Sequence, residues 1–235
     1  MSKEFPNVID SVIPLIEQYA PSFCPKCIFD VGAFRGVVTD DLLHKYKQAQ
    51  YHLFEPQQDW ANHLVKKYSG ISNIRINDYA LYESQGEIEF NIGKFPPTSS
   101  IYERNAGKQY YNDGHTMIDV KKIMADTIDN YCHKRNITEI DLIKLDTQGS
   151  ELSIFKGGLN MISRQKLHVI ITEFFAIPHY EHAPLLCDTW SYLKSHGYDL
   201  YRMILGPHAK DGQLRYGDAI FLSRHFRENY LTTAA

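Results

Sequence analysis

Cysteine is scarce, neither sign of charge dominates, and no apolar run approaches the length of a membrane span. Four cysteines in 235 residues are too few for a disulfide scaffold. Cys24 and Cys27 in "CPKC" have CxxC spacing, but Cys132, His133 and Cys187 are scattered where a zinc site needs a second pair. A redox pair would sit between a strand and a helix, whereas this one precedes the strand. Reduced thiols and no metal are therefore expected. With 25 Lys and Arg against 28 Asp and Glu, a formal charge of −3, and no long block of either sign, the chain lacks the electrostatic footprint of a nucleic-acid binder. The first 23 residues carry charges and Pro14 but no uninterrupted apolar core with a small-residue cleavage site, so a cytoplasmic address without a membrane span is expected.

The composition suits a folded chain: 43% of residues are apolar and 23% charged. The length predicts one substantial core. Residues 5–20 place Val8, Val12, Leu15, Ile16 and Tyr19 at helical spacing around Pro14, which predicts a leading helix. We assign 1–23 to this helix, packed on a main domain spanning 24–235. From "KCIFDVG" onward, strand-like and helix-like stretches alternate at about 25-residue intervals, which predicts right-handed crossovers and a doubly wound sheet. "NIRINDYAL" reads as a third strand, and "SELSIFKGGLNMIS" as one helix with glycines inside it. "ALYESQGEIEFNIG" and "HTMIDVKKIMA" alternate without helical period, predicting a hairpin-like insertion. Their long polar connection, about 94–117, reads as a lid, with Tyr102, Tyr110 and Tyr111 as flat faces for an acceptor. The expected result is an α/β fold with a seven-stranded, mostly parallel sheet and helices on both faces, ending in a frayed tail from Arg224.

"CIFDVGAFRGVVTDDLLHKY" opens as a buried strand and turns through Gly32 and Gly36 into a helix. It lacks both the G-x-G-x-x-G of dinucleotide folds and the Gly-Lys-Ser/Thr of a phosphate-gripping loop. Asp30, two residues before the first glycine, suits a ligand with positive charge, although an ordinary strand-to-helix turn reads equally well. Glu55 decides between them. It closes the second strand in "HLFEP", 25 residues after Asp30, where a carboxylate can take both hydroxyls of a ribose. An adenosine without phosphate and with a positive tail is S-adenosylmethionine.

The chain also resembles the FkbM-type methyltransferases, class I S-adenosylmethionine-dependent enzymes that usually methylate hydroxyl oxygens of sugars or polyketides. The resemblance runs from about Ile28 to Phe175 and rests on "FDVGAFRG", "HLFEP", "DYALYESQGEIEF", "TSSI" and "IDLIKLDTQGSELSIFKGG", in that order. A typical member has Asn in place of Phe34 and an acidic residue in place of Gln148. The resemblance implies cofactor contacts from Asp30, Gly32, Ala33, Phe34 and Gly36, from Glu55 and Pro56, and from Asp78, Tyr79 and Ala80 beside the adenine. Ser100 and Asp146 would border the methionine end.

For removal of an acceptor proton, "FFAIPHYEHAP" after Glu173 supplies His179 and His182 beyond a strand end. The ordered expectation is His179, Asp146, then His182 and Glu173. The acceptor expected is a small molecule or glycan hydroxyl. Methylation of an amine, cofactor binding without catalysis, and a nicotinamide-dependent reaction are the alternatives.

Overall fold

The computed structural model describes residues 8–105 and 116–231. The helices are α1 (Val8–Tyr19), α2 (Val37–Lys45), α3 (Gln58–Lys67), α4 (Ile128–Arg135), α5 (Glu151–Gly157), α6 (Leu159–Ser163), α7 (Leu186–Ser195) and α8 (Arg224–Asn229). The strands are β1 (Cys27–Val31), β2 (Gln50–Phe54), β3 (Ile74–Asn77), β4 (Ala80–Leu81), β5 (Gly86–Gly93), β6 (Met117–Asp126), β7 (Ile140–Leu145), β8 (Leu167–Phe175), β9 (Tyr198–Leu205) and β10 (Tyr216–Ser223). Seven of them form one sheet in the order β3-β2-β1-β7-β8-β10-β9. All its neighbours are parallel except the two pairs that β10 makes. The doubly wound sheet expected from the alternation is what the chain builds.

Strand alternation divides the core in two. Ile28 on β1 and Leu142 on β7 face a cluster with α1, α2 and α8, while Phe29, Val31, Ile143 and Leu145 face a second cluster under α4 to α7. Burial on both faces is why these strands read as apolar runs. The order reverses between β1 and β7, and their carboxyl ends open the crevice where open α/β sheets place ligands. Among the described residues no helix is long and apolar enough to cross a membrane.

Three expectations are corrected. "NIRINDYAL" is not one strand. The Glu55 N–H takes the last ladder carbonyl, Asn77 O, at 3.0 Å; the chain then leaves the main sheet, and Ala80–Leu81 pairs with β6 instead. The insertion therefore closes as a second sheet, β4-β6-β5, with the expected β5–β6 hairpin inside it. The "SELSIFKGGLNMIS" helix is broken into α5 and α6 at Gly157–Gly158, because Gly157 passes so close to the main chain that a Cβ would lie 2.0 Å from Tyr82 O. The tail from Arg224 forms α8, whose N-terminus is capped by Ser223 Oγ accepting the Phe226 N–H at 3.0 Å.

Phe226 locks α8 to the start of the chain. It is 1% exposed, and its ring meets Phe23 edge-on at 4.7 Å, inside the cluster that contains Val8, Val12 and Ile16 of α1. Phe226→Ala should therefore cost about 3–5 kcal/mol of unfolding free energy, read by urea denaturation. A frayed tail would show a loss below about 0.5 kcal/mol.

Candidate active site

A cleft with about 860 Å³ of open space, mouth included, lies over the carboxyl ends of β1, β2 and β7. Three turns, the second sheet and a strap make its walls. The turn after β1 contributes Gly32 and Phe34, the end of β2 Glu55 to Gln57, the second sheet Ala80, Leu81 and Phe90, and the turn after β7 Asp146 to Gln148. The strap, the described part of the expected lid, adds Pro96, Pro97, Ser99 and Ile101. Tyr110 and Tyr111 lie outside the described residues.

Glu55 staples two of these turns. Oε2 accepts the Phe34 N–H and Oε1 the Gln57 N–H, both at 2.9 Å, while Gly32 and Ala33 donate to Phe54 O. Gly32 has φ +78°, and a Cβ there would lie 2.1 Å from Asp146 O; no other residue fits where β1 and β7 turns touch. Phe34 also has positive φ, +45°, and its ring leans on Trp60 at 4.2 Å with Arg35 over both. Burial pushes the Glu55 carboxyl up to about 7 against the pull of its two backbone bonds.

A carboxyl pair occupies the other side. Asp146 and Glu173 both line the cleft. Asp146 Oδ2 accepts from Lys144 Nζ at 2.9 Å, and Gln148 Nε2 donates to Asp146 Oδ1 at 3.0 Å and to Glu173 Oε2 at 2.8 Å. Burial opposes ionisation of Asp146, but the Lys144 ammonium holds its carboxyl below the usual range. Glu173 is driven well above that range by burial and by the charges of Asp146, Glu151 and Asp218. Glu151 caps its own turn, accepting from Thr147 N and Oγ1 and from Gly149 N.

Of the residues expected from sequence, Gly32, Phe34, Glu55, Pro56, Ala80, Asp146 and Glu173 come together on the cleft wall. Asp78 and Tyr79 line an adjoining groove that shares Pro56, Gln57, Phe90 and Pro96 with it. Ala33, Gly36 and Ser100 support the wall from behind: Gly36 N–H closes the turn on Ala33 O, and Ser100 Oγ donates to Gln148 O at 2.7 Å. Asp30 does not reach the wall. It shares the face of Ile28, accepts from Thr39 Oγ1 at 2.6 Å, and has its other oxygen, Oδ1, buried with no hydrogen bond. His179 is buried in a stack on Phe175, ring centroids 4.6 Å apart, and His182 is exposed; neither lines the cleft. The side chain of that loop that does reach the carboxyl pair's surroundings is Tyr180, bonded to Gln148 Oε1 at 2.8 Å. Its cue in the sequence is a buried aromatic with a polar tip that must find a partner.

Residues 30–200 match the model of the methyltransferase FkbM domain. The chain belongs to the FkbM methyltransferase family. As a member it is an S-adenosylmethionine-dependent methyltransferase. It is 23% identical over 174 residues, 69% of this chain and 67% of the other, to the 2-O-methyltransferase NoeI of Sinorhizobium fredii. A methyltransferase FkbM from Methylobacillus flagellatus superimposes with a TM-score of 0.51 at 19% identity, over 84% of this chain and 43% of that one. A magnesium protoporphyrin IX methyltransferase from Synechocystis, solved with S-adenosylmethionine bound, gives 0.51 at 10% identity, over 92% and 78% of the two chains. These two likenesses show the class I fold.

The residues present fit the cofactor. Glu55 keeps acceptor capacity on both oxygens beyond its two backbone bonds, as a ribose diol needs. Phe54, Ala80, Leu81 and Phe90 offer an apolar slot for a base, and the Asp146 side faces a cationic tail with a carboxylate. Because hydroxyls donate best to an ionised carboxylate, binding should follow Glu55 ionisation. S-adenosylhomocysteine affinity, measured by calorimetry, should fall roughly tenfold from pH 8 to pH 6, and Glu55→Gln should flatten that dependence while lowering affinity throughout.

Proposed function

We propose that this methyltransferase modifies a hydroxyl oxygen of a sugar, glycan or polyketide-like natural product, in the cytoplasm, with a small molecule or glycan rather than nucleic acid as acceptor. The observation that carries the reading is the carboxyl pair of Asp146 and Glu173 on the cleft wall, joined through Gln148. An amine acceptor can lose its proton to water, whereas a hydroxyl must be relieved of it as the methyl arrives. The 2-O-methyltransferase NoeI is a relative whose name specifies an oxygen acceptor.

When bound, the cofactor supplies an activated methyl on a sulfonium and leaves as a neutral thioether. The chain's own residues do the rest. Glu55 and the glycine turn fix one end of the site, and the strap from Pro96 to Ile101 walls it from water. The acceptor O–H is held toward the carboxyl pair, its oxygen gains the methyl, and its proton passes to a carboxylate oxygen of the pair. Glu173 is the member of the pair that takes the proton: Lys144 keeps Asp146 ionised, and that neighbouring charge raises the proton affinity of Glu173. Orientation and proton removal are the protein's two contributions.

Incubation of the protein with labelled S-adenosylmethionine and a panel of sugars, glycans and polyketide-like alcohols tests the reading; label should enter alkali-stable ether, not amine. On a hydroxyl acceptor found in this way, Glu173→Gln should lower kcat about 10²–10⁴-fold, with S-adenosylhomocysteine affinity held within about threefold. His182→Ala, off the cleft, should stay within about twofold of the parent.

A further inference from the structure

Gln148 sits at a turn that resists it. Its backbone has φ +57°, a conformation that costs a residue with a Cβ about 1–2 kcal/mol, and such strain persists where the surroundings hold it. Both ends of its carboxamide and its main-chain carbonyl are engaged. The amide nitrogen donates to Asp146 Oδ1 and Glu173 Oε2, the amide oxygen accepts from Tyr180, and the main-chain carbonyl accepts from Ser100. Tyr180 is itself fully buried, directs its hydroxyl at Thr98 O as well, at 2.9 Å, and lies under the Arg104 guanidinium.

Only a carboxamide satisfies this arrangement. Two carboxyl oxygens take two N–H donors from one atom, and on the far side the amide oxygen shares the single tyrosine hydroxyl proton with Thr98 O. A flipped amide would set its oxygen against two carboxyl oxygens. A glutamate would add a third carboxyl group to the pair, and a leucine would leave both without a donor.

We propose that Gln148 is the positioning residue of this site: its carboxamide clamps Asp146 and Glu173 in the orientation that receives the acceptor's proton, and Tyr180 holds the carboxamide in place. This rests on the O-methylation reading of the same cleft. The groups facing Glu173 are Asp146 and Lys144 from the β7 end, Glu151 from α5, Asp218 from β10, and the phenols of Tyr180 and Tyr216. Three of these are carboxyl groups, so a neutral donor on Glu173 has a large lever on its proton affinity.

The test is a carboxyl ¹³C NMR titration of the full chain labelled in glutamate side chains, with the Glu173 resonance assigned by its loss in Glu173→Gln. Gln148→Leu should raise the Glu173 midpoint by about one pH unit or more, and Tyr180→Phe should move it in the same direction by less. Calorimetry with S-adenosylhomocysteine should show affinity within about threefold in Tyr180→Phe, whose side chain does not line the cleft. Should Gln148→Leu fail to fold, Gln148→Asn, one methylene short of the pair, carries the same expectation. With an acceptor in hand, the acid limb of the kcat profile should move by the same interval as the midpoint, which a merely structural role would not produce. An unmoved Glu173 midpoint in a folded variant overturns the clamp, even if the protein methylates hydroxyls. A moved midpoint in a protein that methylates only amines overturns the O-methylation reading and leaves the contact standing without its role.

Discussion

One buried ammonium makes the floor of this site possible. Lys144 lies at the end of the central strand β7, 4% exposed, and Asp30, Asp146, Glu173 and Asp218 all feel its charge. Burial by itself would discharge it; Asp146 and Asp30 instead keep its proton affinity raised. Water-poor surroundings can hold this many carboxyl groups only if a cation neutralises one and protons neutralise others. The outcome is graded. Asp146, in direct contact with Lys144, stays ionised, while Glu173 and Asp218, one and two strands farther along the sheet, hold protons more tightly, Asp218 up to about 7.

That gradation gives the two halves of the cleft different chemistry. On the β2 side, Glu55 is committed to backbone: it joins the β1 turn to the start of α3, so the shape of the cradle and the place of its carboxylate are set by the same two bonds. On the β7 side, the carboxyl groups are committed to one another and to Gln148. The strap is fastened to both, through Gln57 Nε2 to Pro96 O and through Ser100 and Tyr180 to the Gln148 turn. Cradle, carboxyl pair and roof are thus one hydrogen-bonded unit at the mouth of a rigid sheet, the arrangement that precise methyl transfer requires.

Much of the fold was legible because buried parallel strands read as apolar runs and the helices between them carry their own period. The split of β3 from β4 was not, since "NIRINDYAL" has strand character throughout and only the pairing of Glu55 with Asn77 ends the ladder. Nor was α8, whose order depends on Phe226 meeting Phe23 from the far end of the chain. In the site, Glu55 and Asp146 stand where their strand-end positions suggested. Asp30 departs from its expected place for a reason already in the sequence: with Ile28 it shares the strand face opposite Phe29 and Val31, so period-two alternation turns it under α2 rather than into the cleft. The histidines of "IPHYEH" follow a different rule. Their loop is anchored by ring stacking of His179 on Phe175, a contact that composition cannot reveal, and it is the tyrosine between them that points at the chemistry.

The structure of the complex with S-adenosylhomocysteine tests the central claim most directly. The account predicts the ribose diol on the two oxygens of Glu55, the adenine between Phe54, Ala80 and Phe90, and the homocysteine end turned toward Asp146. A nucleoside lodged instead in the neighbouring groove against Trp60 and Lys121, with Glu55 touching only backbone, would contradict it.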